Sequence, residues 1–156
     1  MRAELNGWTL AGMAGEVKVR DPVTVVPALT IPFHRGNLAE LRSLVAELAD
    51  RAGLDDHRID DLLVVATELA TNAVRHAGGS GVLRLWSGGD ALYCQVIDDG
   101  PGLPDPQRAG VRPVPTNSDE GRGLWLARQL SDELYLVAGR RGTSATATFA
   151  ISWSGE

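Results

Sequence analysis

The sequence predicts an α+β fold, a two-layer sandwich in which a mixed β-sheet is covered on one face by helices. Two observations carry this. Apolar residues between Asn37 and Gly78 repeat with the 3.6-residue period of helices, and after Gly79 the pattern changes to the two-residue period of strands. The order that results is strand, two helices, hairpin, long connection, helix, hairpin, without internal repeats or low-complexity segments.

Residues 1–22 scatter Trp8, Leu10 and Met13 among glycines and charges and read as an N-terminal arm or an extra edge strand; 23–156 read as one domain. From Val23 to Phe33 the β-branched content rises, and Leu29, Ile31 and Phe33 alternate as in a strand. Asn37 with Glu40 resembles a capping box, and Leu38, Leu41, Leu44, Val45 and Leu48 carry a helix to Gly53. Asp55 or Asp56 can cap a second helix that closes at Gly78-Gly79. Its apolar stripe runs through Ile59, Leu62, Leu63, Ala66, Ala70 and Ala73. On the other side Glu68 and Asn72 lie one turn apart, flanked by Val64 and Val65 rather than by the charges of a wet face, so an apolar cover is expected there. Taken alone, the stretch fits equally the floor of a cleft or an amphipathic helix with two incidental polar residues.

Val82 to Trp86 and Ala91 to Ile97 form a predicted hairpin turning through Ser87-Gly-Gly-Asp90. Leu92, Cys94 and Val96 share a face, and Asp98 continues that apolar row, a costly place for a carboxylate unless something donates hydrogen bonds to it; taken alone, Asp98-Asp-Gly100 reads more readily as the start of a turn. From Leu103 to about Glu120 four prolines and little periodicity mark a connection long enough to be a lid. Gly121-Arg-Gly123-Leu124 then opens a third helix through Leu126, Ala127 and Leu130, and glycines before a helix leave its first amides open to an anion. The chain finishes with a hairpin, Leu134 to Ala138 and Ser144 to Ile151. Ala145, Ala147, Phe149 and Ile151 make one face of its last strand, and Ser144, Thr146 and Thr148 make the other, which is expected to be half exposed.

The totals narrow the function. A length of 156 residues and an apolar fraction of 44% suit a soluble domain with a full core. No run approaches the ~20 apolar residues of a membrane span, and the N-terminus lacks the pattern of a signal peptide, so a cytoplasmic protein is expected. A net charge of -5 without a basic stripe argues against a nucleic-acid surface. The lone cysteine, Cys94, reads as a buried thiol, and Lys18, the one lysine, stands in no phosphate loop of the G-x-x-x-x-G-K type.

Four short motifs occur in one order: Glu68-Leu-Ala-Thr-Asn72-Ala-Val-Arg-His76, Asp98-Asp-Gly100-Pro-Gly102, Gly121-Arg-Gly123-Leu124 and Gly142-Thr143. Together they resemble the N, G1, G2 and G3 boxes of the GHKL ATPase superfamily, which includes gyrase, histidine kinases and MutL, over roughly residues 25 to 151. Within it, the short single-domain form and the helix motif resemble the anti-sigma factor serine kinases. A sensor histidine kinase would add a helical hairpin before Val23 and gyrase or MutL a second domain after Glu156, so neither is expected.

The resemblance implies a Bergerat-type ATP-binding fold with ATP and Mg²⁺ as cofactors. It implies that Asn72 ligates Mg²⁺ and that Asp98 accepts a hydrogen bond from the adenine amino group. Gly100 and Gly102 let the backbone pass the base, and Thr143 holds that edge. Gly121, Gly123 and Leu124 belong to the lid and the phosphate side, and Glu68 orients or deprotonates an attacking hydroxyl. His76 reads as a helix-end residue. The implied activity is a protein serine kinase that transfers the γ-phosphoryl of ATP to an anti-sigma factor antagonist and holds a sigma factor; a homodimer is implied by the resemblance alone. The alternative is a nucleotide-gated binding module without catalysis.

Overall fold

The computed structural model describes residues 4–5, 8–9, 29–76, 78–100, 110–111 and 122–151. Two short strands, β1 (Glu4–Leu5) and β2 (Trp8–Thr9), pair with each other. The main sheet has five strands in the order β3-β4-β5-β7-β6: β3 (Leu29–His34), β4 (Ser80–Gly88), β5 (Ala91–Asp98), β6 (Glu133–Gly139) and β7 (Gly142–Ala150). Three helices, α1 (Leu38–Arg51), α2 (Asp56–His76) and α3 (Arg122–Leu130), complete the expected α+β sandwich. The sheet is antiparallel at every pairing, where a mixed sheet was expected. The connections explain two of the four pairings: two-residue turns at Gly89-Asp90 and Arg140-Arg141 join β4 to β5 and β6 to β7, and so short a link can only reverse the chain. β7 then returns between β5 and β6, which sets the start of β7 beside the end of β5.

Helix α2 is the centre of the helical layer. It meets α1 on one side and α3 on another, and packs on β4, β5 and β7. Its buried residues are Ile59, Leu62, Val65, Ala66, Leu69, Ala70, Ala73 and Val74, a broader stripe than the predicted one because it is covered from three directions. Phe33, Leu41, Val45, Leu83, Leu85, Leu92, Cys94, Ala147 and Phe149 share that core. Burial pushes the Cys94 thiol up to about 12, so it behaves as a small apolar side chain.

The start of α2 is capped as expected, with Asp55 Oδ1 accepting from the Arg58 amide at 3.0 Å. The start of α1 is not. Asn37 precedes α1 without a side-chain cap, because its amide serves the 3₁₀ turn Arg35–Asn37: Oδ1 accepts from the His34 amide at 2.7 Å and Nδ2 donates to the Pro32 carbonyl at 3.1 Å. The capping box here is His34 with Asn37, not Asn37 with Glu40. A second correction concerns β7. Ser144 and Thr146 are 2% and 1% exposed rather than half exposed, and the cross-strand Gln95 donates to both hydroxyls.

Candidate functional site

The site begins on α2. Glu68 and Asn72 lie one turn apart and are partly buried, because the first turn of α3 lies against them. Gly123 makes the contact. A Cβ built there would stand 2.8 Å from Glu68 Oε2 and 3.4 Å from both Glu68 Cβ and Asn72 Nδ2, so glycine lets the backbone of α3 come this close. Helix α3 has no acid in its own first turn, and α2 brings the Glu68 carboxylate to that partly positive helix end. Leu124 turns inward and joins the core at 9% exposure. The cover over Glu68 and Asn72 is therefore the backbone of α3 at Gly123, and the apolar cover expected from Val64 and Val65 is not there: Val64 is 40% exposed and Val65 faces the core.

The second part of the site lies where β5 ends. Asp98 Oδ1 accepts from the Gly100 amide at 2.9 Å and from the Thr143 amide at 3.3 Å. Desolvation pushes its carboxyl above the usual carboxylate range and Asp99 adds to this, while the two amides and nearby His76 oppose it. Thr143 reaches Asp98 because β5 and β7 are neighbours, with Asp98 paired to Thr143. Gly142, at φ 123°, is required by the same approach: a Cβ there would overlap the Asp98 carbonyl oxygen and come within 2.9 Å of the Asp99 Cα.

Helix α2 joins the two parts. Its last residue, His76, acts electrostatically on Asp98, one turn beyond Asn72, and the chain then turns through Gly78 and Gly79 at φ 79° and 100°. The structure thus gathers Glu68, Asn72, Gly123 and Leu124 at the α2–α3 contact, and Asp98, Gly100 and Thr143 at the sheet end. Gly102 and Gly121 lie outside the described residues, as does the proline-rich connection apart from Gly110 and Val111.

Sequence reading missed two residues. Gly110, at φ 74°, passes so close to α3 that a Cβ would stand 2.5 Å from the Leu124 carbonyl carbon. A lone glycine between prolines was its signal. Arg58 at the start of α2 bonds to the far end of α3 and gave none, since an arginine in a first helical turn is ordinary.

The donor set has a definite chemistry. All the hydrogen bonds that the Asp98 carboxyl accepts among the described residues go to Oδ1, which leaves Oδ2 for an outside donor such as an exocyclic amine. Asn72 offers a neutral side-chain oxygen, a hard donor of the kind Mg²⁺ takes in small number from protein. These residues fit a purine nucleotide with its metal.

Residues 31–149 match the histidine kinase-like ATPase domain family. Among solved structures, the RsbU and RsbW domains of Rv1364c from Mycobacterium tuberculosis superpose with a TM-score of 0.60 at 22% identity, over 84% of this chain and 35% of that one. The mycobacterial sensor histidine kinase MprB superposes with a TM-score of 0.52 at 16% identity, over 78% of this chain and 97% of that one. The chain spans about a third of the length of the first of these. At such identities the two likenesses show a shared fold.

Proposed function

The chain belongs to the histidine kinase-like ATPase domain family, and on that premise we propose that it is an ATP-binding regulatory protein serine kinase of the anti-sigma factor type. It transfers the γ-phosphoryl of ATP to a serine of an anti-sigma factor antagonist and sequesters a sigma factor, acting as a homodimer. ATP binding follows from the family; the serine specificity and the partners are this proposal's own. The observation that carries it is Glu68 on α2, one turn before Asn72 and against the first turn of α3. A domain that only held nucleotide would need the amide and the helix start, but no carboxylate there.

Each residue has a role in this proposal. Asp98 accepts the adenine amino group on Oδ2, its other oxygen being held by Gly100 and Thr143. Gly100 and Gly102 keep the chain beside the base free of side chains. The amides at the start of α3, those of Gly123 and Leu124 among them, meet the phosphates, where a helix end favours negative charge, and Gly121 precedes them in the sequence. Asn72 would hold Mg²⁺ through its side-chain oxygen, and the ion supplies charge neutralisation of the phosphates. Glu68 accepts the proton of the incoming serine hydroxyl; that oxygen bonds to the γ-phosphorus, the bond from γ-phosphorus to bridging oxygen breaks, and ADP leaves.

Glu68→Gln keeps the shape and hydrogen bonding of the side chain but cannot accept the proton. With radiolabelled ATP and a candidate antagonist, the variant should lose phosphoprotein formation by about a hundredfold or more while nucleotide affinity stays within a few-fold. Equal transfer by wild type and variant would remove Glu68 from the chemistry. Partner binding that follows nucleotide without a phosphoprotein would replace the kinase by a nucleotide-gated binding module.

A further inference from the structure

Arg58 lies in the first turns of α2, about 15 Å along the helix from Glu68 at 1.5 Å per residue, and has no place in the site described above. Its guanidinium joins three elements. Nη1 donates to the carbonyl of Leu130, the last residue of α3, at 2.7 Å and to Asp61 Oδ2 at 2.9 Å. Nη2 donates to Asp132 Oδ2 at 3.0 Å, and the same oxygen accepts the Ala150 amide of β7 at 2.6 Å. The guanidinium carbon stands 4.9 Å from the centre of the Phe149 ring. The Arg58 side chain is 22% exposed, so these bonds form largely away from water, where a planar fork with charge-assisted donors is at its strongest.

Helix α3 runs antiparallel to α2, with Gly123 against Glu68 and Asn72 and Leu130 against Arg58. It has nine residues, and a helix so short takes its orientation from tertiary contacts rather than from its own propensity. Its two ends are held differently. At the start, Gly123 gives a close but side-chain-free contact with Glu68; at the finish, Arg58 makes a charged bond to a carbonyl that the helix itself leaves unpaired.

We propose that Arg58 is a positioning residue for the phosphate side of the nucleotide site: by holding the last carbonyl of α3 it sets where the amides at the other end of that helix stand relative to Asn72. The inference rests on the proposed function, in which those amides meet the nucleotide phosphates. The base side does not depend on Arg58, because Asp98 and Thr143 are held by the β5–β7 ladder and by their own bond. Loss of the anchor should therefore act on the phosphates and spare the base.

The test compares the dissociation constants of Mg²⁺-ATP and of adenosine, by calorimetry, for wild type, Arg58→Met and Arg58→Lys. Met keeps an aliphatic chain against Phe149; Lys keeps the charge but cannot fork between Leu130, Asp61 and Asp132. ATP binding should weaken about tenfold in both variants, with adenosine within about twofold of wild type. A residue that merely stabilised the fold would leave the ratio of the two constants unchanged, and an unchanged ratio overturns the proposal. Asp132→Asn weakens the anchor at a side chain that is 48% exposed and threatens the fold least. It should shift the ratio the same way by about twofold, and it carries the test if the Arg58 variants do not fold. A wild type that binds ATP no more tightly than adenosine would bring down the proposed function itself. A preference for ATP that survives in every variant would bring down only the role of Arg58.

Discussion

Asp98 stands where a charge is poorly solvated, and its position separates what the fold prefers from what a ligand would prefer. Desolvation, the largest influence on its carboxyl, raises its pKa, and the amides of Gly100 and Thr143 offset only part of this. A carboxyl whose pKa is higher in the folded chain than in the unfolded one binds its proton more readily when folded. Its contribution to stability therefore falls as pH rises from the usual carboxylate range through the folded value, and stays lower above it. Asp98→Asn removes the ionisation while keeping an oxygen for the two amides. Without nucleotide, the variant should melt at or above wild type at neutral pH, with the gap closing as pH falls toward about 4. Melting curves at several pH values check this, and a variant that melts several degrees lower at pH 7 would show that the carboxylate stabilises the fold.

Strand β7 shows where periodicity is informative and where it stops. Alternation assigned Ala145, Ala147 and Phe149 to one face and Ser144, Thr146 and Thr148 to the other, and both faces are as assigned. It did not tell that Ser144 and Thr146 would be buried, because alternation assigns a face and not its cover, nor that they would share bonds with Gln95, a partner on β5 some fifty residues away in the chain. The helix starts teach the same lesson: Asp55 caps as its spacing implied, whereas Asn37 was drawn off by His34 and Pro32, an alternative that a capping-box pattern does not contain. Gln95 itself gives a prediction. Its Nε2 makes two long bonds of 3.3 and 3.2 Å, while its Oε1 is buried without a partner among the described residues. An unmet buried acceptor costs about 1–3 kcal/mol and each bond returns about 0.5–1.5 kcal/mol, so the group contributes little net stability. Gln95→Met, of similar volume, removes the unmet acceptor but also the donor to two buried hydroxyls, and should change the unfolding free energy in urea by no more than about 2 kcal/mol. A loss above about 2 kcal/mol would mean that Oε1 has a partner after all.

At the scale of the whole molecule, the four motifs were legible in order but not in space. What brings them together is the strand order, in which β7 enters beside β5, and the packing of α3 across α2. Arg58 and Gly110 belong to that assembly and not to any motif: Gly110 left only the weak signal of a lone glycine between prolines, and Arg58 left none. A nucleotide bound as proposed would touch α2, the end of β5, the start of β7 and the start of α3, and would bind the folded chain alone. Its binding energy would then appear as stability of the entire domain. At about 100 times the dissociation constant a ligand adds roughly 2.7 kcal/mol, which for a domain of this size raises the melting temperature by about 5 to 10 °C. Mg²⁺-ATP should produce such a rise in wild type, and Asp98→Asn should abolish it even though the same substitution leaves the ligand-free chain no less stable. The two effects have opposite consequences for one residue, so a substitution that merely damaged the fold could not produce both. No rise in wild type at saturating nucleotide would leave the fold without its ligand, and the kinase reading would fall with it.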